Sequence, residues 1–311
     1  MNEETILLIK EKDWLDEETK EMFLEKLKTL KFNFIIHKDI ANNEYFNYCI
    51  DAIPFDSSKL PHEVLEDITN YFKNDSYYPD NGKISCSEII EFAIFNKHKN
   101  GVYISKYNLL TITLPLIMDP YFNKQFPIPL NYGLLAETIG HEILHAFDTS
   151  HRIFDQYGNL RSITTEKSDE EFQIRERCLI DQYSNQTIEG TDENVNGVRT
   201  LNENLGDNGG VKLAYRTYLK YVKRLNYNMK PLKGKKELSP DQLFFVSGGR
   251  FWCSKKSKQS SSKGVDENVH APAKNRFNTY ISNFKPFSEA FNCKIGTPMN
   301  PKNKCEVWRH K

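Results

Sequence analysis

Two histidines and a glutamate at close spacing are the residues of this chain best suited to chemistry. The segment His141-Glu142-Ile143-Leu144-His145 places its histidines four positions apart, and on a helix such residues share one face, about 6 Å apart along the axis. Two imidazoles on one face can bind a single zinc ion at about 2 Å each. Glu142 would not be a ligand but could accept a proton from a zinc-bound water and return it to a leaving amine. A surface helix with two solvated histidines is the alternative, and the motif alone does not exclude it.

An acidic pair further along the chain could complete such a site. Glu203 and Asp207 open a segment with helical apolar spacing and lie four positions apart, so their carboxylates share one helix face. Glu203 would be the third zinc ligand and would leave one coordination position open for water. Asp207 would accept the N–H of a ligating histidine. An acidic first turn that complements the helix dipole would give the same pattern, and at this point both interpretations stay open.

The elements that must position these residues are mostly helical. Asp16 could cap an early helix, and a proline-containing capping box at Ser239 specifies the start of a late one. Apolar spacing predicts further helices, and β-branched and aromatic residues predict two short strands, Val102–Ser105 and Leu109–Leu114. The helices predicted by spacing are Val64–Phe72, Gly133–Asp148, Asp169–Tyr183 and Leu201–Lys223. We therefore expect a mainly α (α+β) fold in one catalytic region, with a helical lead-in over residues 1–95 and a zinc-binding core over 96–311.

Composition excludes several other classes of protein. The 311 residues carry 42 Lys and Arg against 42 Asp and Glu, so no net field attracts nucleic acid or an anionic membrane. There is no run of about 18 apolar residues and no secretory signal at the start, and we expect no membrane contact from this chain itself. The six cysteines form no C-x-x-C pair, which argues against a zinc ribbon. Spacing leaves their pairing and the oligomeric state open.

Several blocks of the sequence occur in an order that is typical of one enzyme family: Asp13–Thr19, His141–Asp148, Phe154-Asp155, Gly158–Leu160, Val195–Gly197, Thr200-Leu201, Glu203-Asn204, Asp207–Gly210, Phe244-Phe245, Trp252-Cys253 and Cys305–Trp308. Together they resemble the neprilysin and endothelin-converting-enzyme family of zinc metallopeptidases, over nearly the whole chain. The resemblance implies a thermolysin-like zincin fold with a small sheet beside the His141 helix. It implies one zinc ion per chain, held by His141, His145 and Glu203, with Glu142 as the general base. It also implies an endopeptidase that hydrolyses oligopeptides before hydrophobic residues, at the cell surface or outside the cell.

The resemblance also implies roles for residues that spacing alone would leave unnoticed. His270 would donate to the oxyanion of the tetrahedral intermediate, and Arg276 would hold a substrate backbone carbonyl. Asn100, at the start of an edge strand, would grip an extended peptide. Tyr121 and Trp252 would line the hydrophobic pocket after the scissile bond. By themselves, these residues would be interpreted as surface or core residues.

Some positions depart from the family pattern. Family members carry a large helical domain that roofs the active site, and we expect it to be missing from this chain. Asn268 stands where the family has an acidic residue, which would loosen the positioning of His270. The resemblance implies a Cys178–Cys305 disulfide and leaves Cys253 and Cys293 without partners. A peptide-binding protein without turnover is the rival function; a zinc aminopeptidase is disfavoured because the chain has no Gly-x-Met-Glu-Asn block.

Overall fold

The computed structural model describes residues 1–34, 43–75, 86, 100–226, 237–253 and 268–309. These residues fall into two compact units, described separately below. The first unit comprises Met1–Phe32, Gly101–Leu110 and Asp119–Lys311, and the second comprises Asn33–Asn100 and Thr111–Met118. The division into a lead-in over 1–95 and a core over 96–311 stays a prediction.

Two helices open the first unit, α1 (Asn2–Lys10) and α2 (Glu17–Lys28). The Asp16 carboxylate caps α2 by accepting the backbone N–H of Thr19 at 2.8 Å. Phe23 and Leu27, on one face of α2, are buried. The helix predicted after Asp16 is therefore confirmed.

The second unit holds two described helices, α3 (Asn43–Asp51) and α4 (Pro61–Asp75). A disulfide joins Cys49 in α3 to Cys86. The spacing from Val64 to Phe72 predicted α4 correctly, whereas α3 was not predicted.

Three short strands form one sheet in the order β1–β3–β2, where β1 is Lys31–Phe34, β2 is Gly101–Ile104 and β3 is Leu109–Ile112. The sequence predicted β2 and β3 to within a few residues, because both are rich in β-branched and aromatic side chains. It did not predict β1, whose four residues are too few to show a period. β2 lies at an edge of this sheet.

The histidine motif lies on helix α6 (Glu137–His145), which continues from a short helix, α5 (Ile128–Asn131), through a π-helical turn at Tyr132–Ala136. The prediction of one helix over Gly133–Asp148 was wrong at its end. Asp148 lies beyond α6 because its carboxylate accepts the backbone N–H groups of Ser150 and His151, both at 2.9 Å, which turns the chain.

Five more helices belong to the first unit: α7 (Glu166–Ser184), α8 (Leu201–Arg224), α9 (Pro240–Trp252), α10 (Ala273–Asn283) and α11 (Lys285–Ala290). The sequence predicted α7 and α8 from apolar spacing and the start of α9 from the capping box at Ser239, which is present; it did not predict α10 or α11. The prediction over Asp169–Tyr183 missed the first turn of α7, where Thr165 accepts from the backbone N–H of Ser168. Glu203 and Asp207 lie in the first two turns of α8.

Glycines let α6 and α8 approach closely. A Cβ on Gly210 would lie 2.7 Å from the backbone nitrogen of His141, and a Cβ on Gly140 would lie 2.8 Å from the carbonyl oxygen of Gly210. Real Cβ contacts are longer than this. The two helices that carry the histidines and Glu203 can therefore pack with their backbones nearly in contact.

Buried aromatic side chains form the core behind α6 and α8. The residues of this aromatic cluster come from α8, α9, α10 and the residue after α10: Tyr215, Tyr218, Phe244, Phe245, Tyr280 and Phe284. The predicted Cys178–Cys305 disulfide is present, and Cys253 and Cys293 form no disulfide with any described residue. Within the described part of the chain, no helix combines the length and apolar character needed to cross a bilayer.

Candidate metal centre

Three potential ligand atoms converge between α6 and α8. The Nε2 atoms of His141 and His145 are 2.9 Å apart. The two carboxylate oxygens of Glu203 lie 3.3 Å from Nε2 of His141 and 3.6 Å from Nε2 of His145. The structure therefore brings together the three residues that the sequence predicted as a ligand set.

The spacing and chemistry of these atoms fit a zinc ion. Tetrahedral coordination at about 2.0–2.1 Å places ligand atoms about 3.3 Å from one another, and two imidazoles with one carboxylate are a known catalytic zinc set. The carboxylates around His141 also favour positive charge at this position. Burial by itself would lower the pKa of His141, but hydrogen bonds to Asp207 and Glu203 outweigh burial and raise it.

Each histidine is oriented by a carboxylate at its other nitrogen. Nδ1 of His141 lies 2.9 Å from Asp207 Oδ1, and Nδ1 of His145 lies 2.7 Å from Asp148 Oδ2. A proton on each Nδ1 would satisfy these bonds and leave both Nε2 lone pairs for a metal. Burial disfavours the charged form of Asp148, but hydrogen bonds from His145 and His151 prevail and lower its pKa to about 2.

Sequence reasoning predicted the role of Asp207 but gave none to Asp148 or His151. His151 also donates from Nδ1 to Asp148, at 2.9 Å. Asp148 stands three residues after His145, close to one helical turn, and this spacing was a signal that could have identified it.

Glu142 is buried beside the two histidines and against the first residue of β2. A Cβ on Gly101 would lie only 2.7–3.0 Å from the side-chain atoms of Glu142. The carboxylate therefore contacts bare backbone at the start of the edge strand, and a larger residue than glycine would force it to move. Burial raises the pKa of Glu142.

His270 and Arg276 both reach Glu203. Nε2 of His270, a half-exposed side chain, lies 3.0 Å from Glu203 Oε2. The side-chain oxygen of Asn268 accepts the backbone N–H of His270 at 2.9 Å and lies 3.3 Å from its Nδ1, so Asn268 still contacts His270. Arg276 is buried and donates to Asp207 at 2.7 and 2.8 Å and to Glu203 at 3.2 Å.

The carboxylate of Glu203 is therefore surrounded by donors. Burial disfavours its charged form, but the hydrogen bonds from His141 and His270 outweigh burial and lower its pKa. The ionised form, which this lower pKa favours, is also the form in which a carboxylate binds a metal.

The three remaining predicted residues occupy different surroundings. Trp252 covers Arg276, with the guanidinium carbon 4.4 Å from its ring centroid. Tyr121 packs edge-on against Phe251, 6.3 Å between ring centroids. Asn100 belongs to the second unit, where its backbone carbonyl accepts from the backbone N–H of Thr113 at 3.0 Å.

Sequence reasoning also missed Glu137, which lies one helical turn before His141. It is buried, and the hydroxyl of buried Tyr280 donates to its Oε1. Burial raises the pKa of Glu137 to about 8. The signal was a charged residue four positions before His141, on the face that α6 turns inward.

The sequence model of peptidase family M13 matches residues 100–307, two thirds of the chain. This chain belongs to peptidase family M13. Among relatives of this M13 chain, neprilysin-1 of Caenorhabditis elegans is 33% identical over 302 residues, which cover 95% of this chain and 39% of the relative. Human endothelin-converting enzyme 1 is 33% identical over 303 residues, covering 95% and 37%. The M13 chain thus spans about two fifths of the length of these relatives.

Solved structures share the fold of this M13 chain. A zinc metalloprotease of Mycobacterium tuberculosis, Zmp1, has a TM-score of 0.76 at 23% identity, over 99% of this chain and 46% of its own. A Haemonchus galactose-containing glycoprotein complex has a TM-score of 0.77 at 24% identity, over 99% and 48%. The predicted zincin fold and the predicted family are confirmed. M13 is a zinc-dependent family.

Proposed function

We propose that this chain is the catalytic part of a zinc metalloendopeptidase that hydrolyses oligopeptides. The observation that supports this most directly is the convergence of His141, His145 and Glu203, with both imidazoles oriented from behind by carboxylates. We assign one zinc ion to these three residues. When bound, zinc lowers the pKa of a coordinated water to about 7, so that hydroxide is available near neutral pH.

Glu142 is the general base in this proposal. Its carboxylate is buried next to both histidines, where it can take a proton from the attacking water. The same group then delivers the proton to the leaving amine. Burial assists the first step, because it raises the pKa of Glu142 and so favours uptake of the proton from the water.

Residues on the far side of Glu203 bind the substrate. His270, half exposed, donates to the oxyanion of the tetrahedral intermediate. Arg276, fixed by Asp207 and Glu203, presents its remaining donor capacity to a backbone carbonyl of the peptide. These roles rest on the family resemblance together with the distances to Glu203.

The substrate is an extended oligopeptide cleaved on the amino side of a hydrophobic residue. β2 is an edge strand whose first residue touches Glu142, so a peptide added to this edge would pass the base. Trp252 is half-buried beside Arg276 and suits a hydrophobic pocket. The roles of Tyr121 and Asn100, and a location at the cell surface or outside the cell, follow from the resemblance alone.

The test combines zinc content with cleavage of a quenched peptide that carries one internal phenylalanine. We expect one zinc per wild-type chain, sub-stoichiometric zinc in Glu203→Ala, and full zinc in the control Glu193→Ala, which alters an exposed carboxylate. Glu142→Gln should keep its zinc and lose at least about a hundredfold in kcat. Cleavage should occur before the phenylalanine and fall when aspartate replaces it.

Two results would overturn the proposal. Wild-type protein without bound zinc would exclude the metal site. Zinc-loaded wild type that binds the peptide without cleaving it would favour the rival, a peptide-binding protein without turnover.

A further inference from the structure

Glu137 is a buried carboxyl group with no part in the proposed reaction. It begins α6, one turn before His141, and only 9% of its surface is exposed. Burying such a group costs free energy unless it is hydrogen-bonded. Its bond comes from the hydroxyl of Tyr280 on α10, which is fully buried.

The same hydroxyl joins Glu137 to Trp252. The indole Nε1–H of Trp252, at the end of α9, donates to the Tyr280 oxygen at 3.0 Å. Because an indole has one N–H, this bond favours the ring orientation that points Nε1 at the Tyr280 oxygen. Tyr280 thus accepts from Trp252 and donates to Glu137, so that one hydroxyl connects three helices.

Trp252 in turn contacts Arg276. The guanidinium carbon lies 4.4 Å from the centroid of its ring, the distance of a stacked cation–π pair. Other donors of Arg276 reach Asp207 and Glu203. The guanidinium is therefore located by carboxylates at its edge and by the indole at its face.

The space around Glu137 is shaped for a carboxyl group. Gly248 on α9 has no side chain where a Cβ would lie 2.9 Å from Glu137 Oε2. An apolar residue at position 137 would fill the space but would leave the buried Tyr280 hydroxyl without its acceptor.

We propose that Glu137 and Tyr280 are positioning residues for substrate binding. They hold the ring of Trp252 in one orientation, and that ring in turn holds the guanidinium group of Arg276 in the orientation that meets the peptide. This inference rests on the proposed function, because Arg276 and Trp252 are the residues assigned to the substrate. It adds two residues to that function and gives a reason for a buried acid on the metal-binding helix.

The variants separate the hydrogen bond from the bulk of the side chains. Tyr280→Phe removes the hydroxyl, and Glu137→Leu removes the acceptor, each with little change in volume. Glu137→Gln keeps an acceptor oxygen for Tyr280 and serves as the conservative rescue. Tyr218→Phe is the matched control, since it removes a hydroxyl elsewhere in the aromatic cluster.

The first measurement is independent of catalysis. In ¹H–¹⁵N spectra of the zinc-loaded chain, the indole signal of Trp252 is assigned by its loss in Trp252→Phe. Tyr280→Phe and Glu137→Leu should shift this signal upfield, because the indole loses its acceptor or its acceptor loses its anchor. Glu137→Gln and Tyr218→Phe should leave it in place. An unmoved signal in Tyr280→Phe overturns the inference, even if the wild type proves to have no peptidase activity.

The second measurement is the division between KM and kcat for the quenched peptide. We expect KM to rise about tenfold in Tyr280→Phe and in Glu137→Leu, the effect of about 1.4 kcal/mol, with kcat and zinc content unchanged. The double variant should be no worse than either single one, because both break the same connection. A purely structural role would lower kcat and zinc content together with the thermal stability, and that outcome also overturns the inference.

Discussion

Arg276 donates two hydrogen bonds to Asp207, from Nε to Oδ2 at 2.7 Å and from Nη2 to Oδ1 at 2.8 Å. Oδ1 of the same carboxylate lies 2.9 Å from Nδ1 of His141. Asp207 therefore orients a proposed metal ligand and a proposed substrate-binding residue together. Because Asp207 and Arg276 are both buried, removing either partner would leave the other as an unpaired buried charge.

Asp207→Asn should weaken zinc binding. The amide has no charge, and its NH2 group would replace one of the two oxygens that now accept from His141 and Arg276, so that two donors would face each other. We expect the zinc affinity to fall about 10- to 100-fold, measured by competition with a chromogenic chelator. The control Asp192→Asn, at an exposed carboxylate, should bind zinc as the wild type does. Equal affinity in both variants would show that Asp207 does not orient His141.

Gly210→Ala should separate α6 and α8, the two helices that carry the proposed zinc ligands. Its Cβ would lie 2.7 Å from the backbone nitrogen of His141, and backbone cannot yield as a flexible side chain can. We expect a loss of about 1–3 kcal/mol in the free energy of unfolding together with weaker zinc binding, measured by urea denaturation and chelator competition. Lys223→Ala, on the exposed face of α8, should change neither. A Gly210→Ala protein as stable as the wild type would mean that α6 and α8 do not approach this closely.

Lys26 should make stability depend on pH in the alkaline range. Its Nζ donates to the carbonyl oxygens of His151 and Phe154 at 2.7 and 2.8 Å, and these residues follow α6. Burial lowers the pKa of Lys26 from 10.5 to about 8, although Asp148 and Asp155 oppose the change. Between these two values the unfolded chain holds more protons than the folded chain, so the contribution of Lys26 to stability rises with pH.

The test compares the wild type with Lys26→Met by urea denaturation at several pH values. The free energy of unfolding of the wild type minus that of the variant should increase by about 2 kcal/mol between about pH 7.5 and pH 10. Lys28 is an exposed lysine of the same helix, and for Lys28→Met the difference in free energy of unfolding should not change with pH. A flat difference for Lys26→Met as well would mean that its pKa is not lowered.

The Cys178–Cys305 disulfide should stabilise the first unit strongly. It closes a sequence separation of 127 residues and ties the C-terminal segment to α7. In the chain-entropy account a loop of this length is worth about 5 kcal/mol. The double variant Cys178→Ala/Cys305→Ala should lose stability of this order in non-reducing denaturation, whereas Cys253→Ser, at an exposed unpaired thiol, should lose none. If the double variant were as stable as Cys253→Ser, the prediction would be contradicted.

Periodic and local features were predictable from the sequence. Helices α2, α7, α8 and α9 were found from apolar spacing and caps, because a helix in contact with a core must repeat its apolar residues every three or four positions. The end of α6 was not predictable from spacing, because it depends on the hydrogen bonds of one side chain, Asp148. β1 was missed because four residues carry too little pattern.

In the candidate site, too, some features were predictable from the sequence and others depended on the fold. The residues themselves predicted His141 and His145 as a ligand pair and Glu142 as a base, because helical geometry places positions four apart on one face. Whether Glu203 joins them depended on the crossing of α6 and α8, which is set by bare backbone at Gly140 and Gly210. The connections from Glu137 through Tyr280 and Trp252 to Arg276 join three helices that are far apart in sequence. Only tertiary packing decides such contacts, because no local rule relates residues that meet only after the chain has folded.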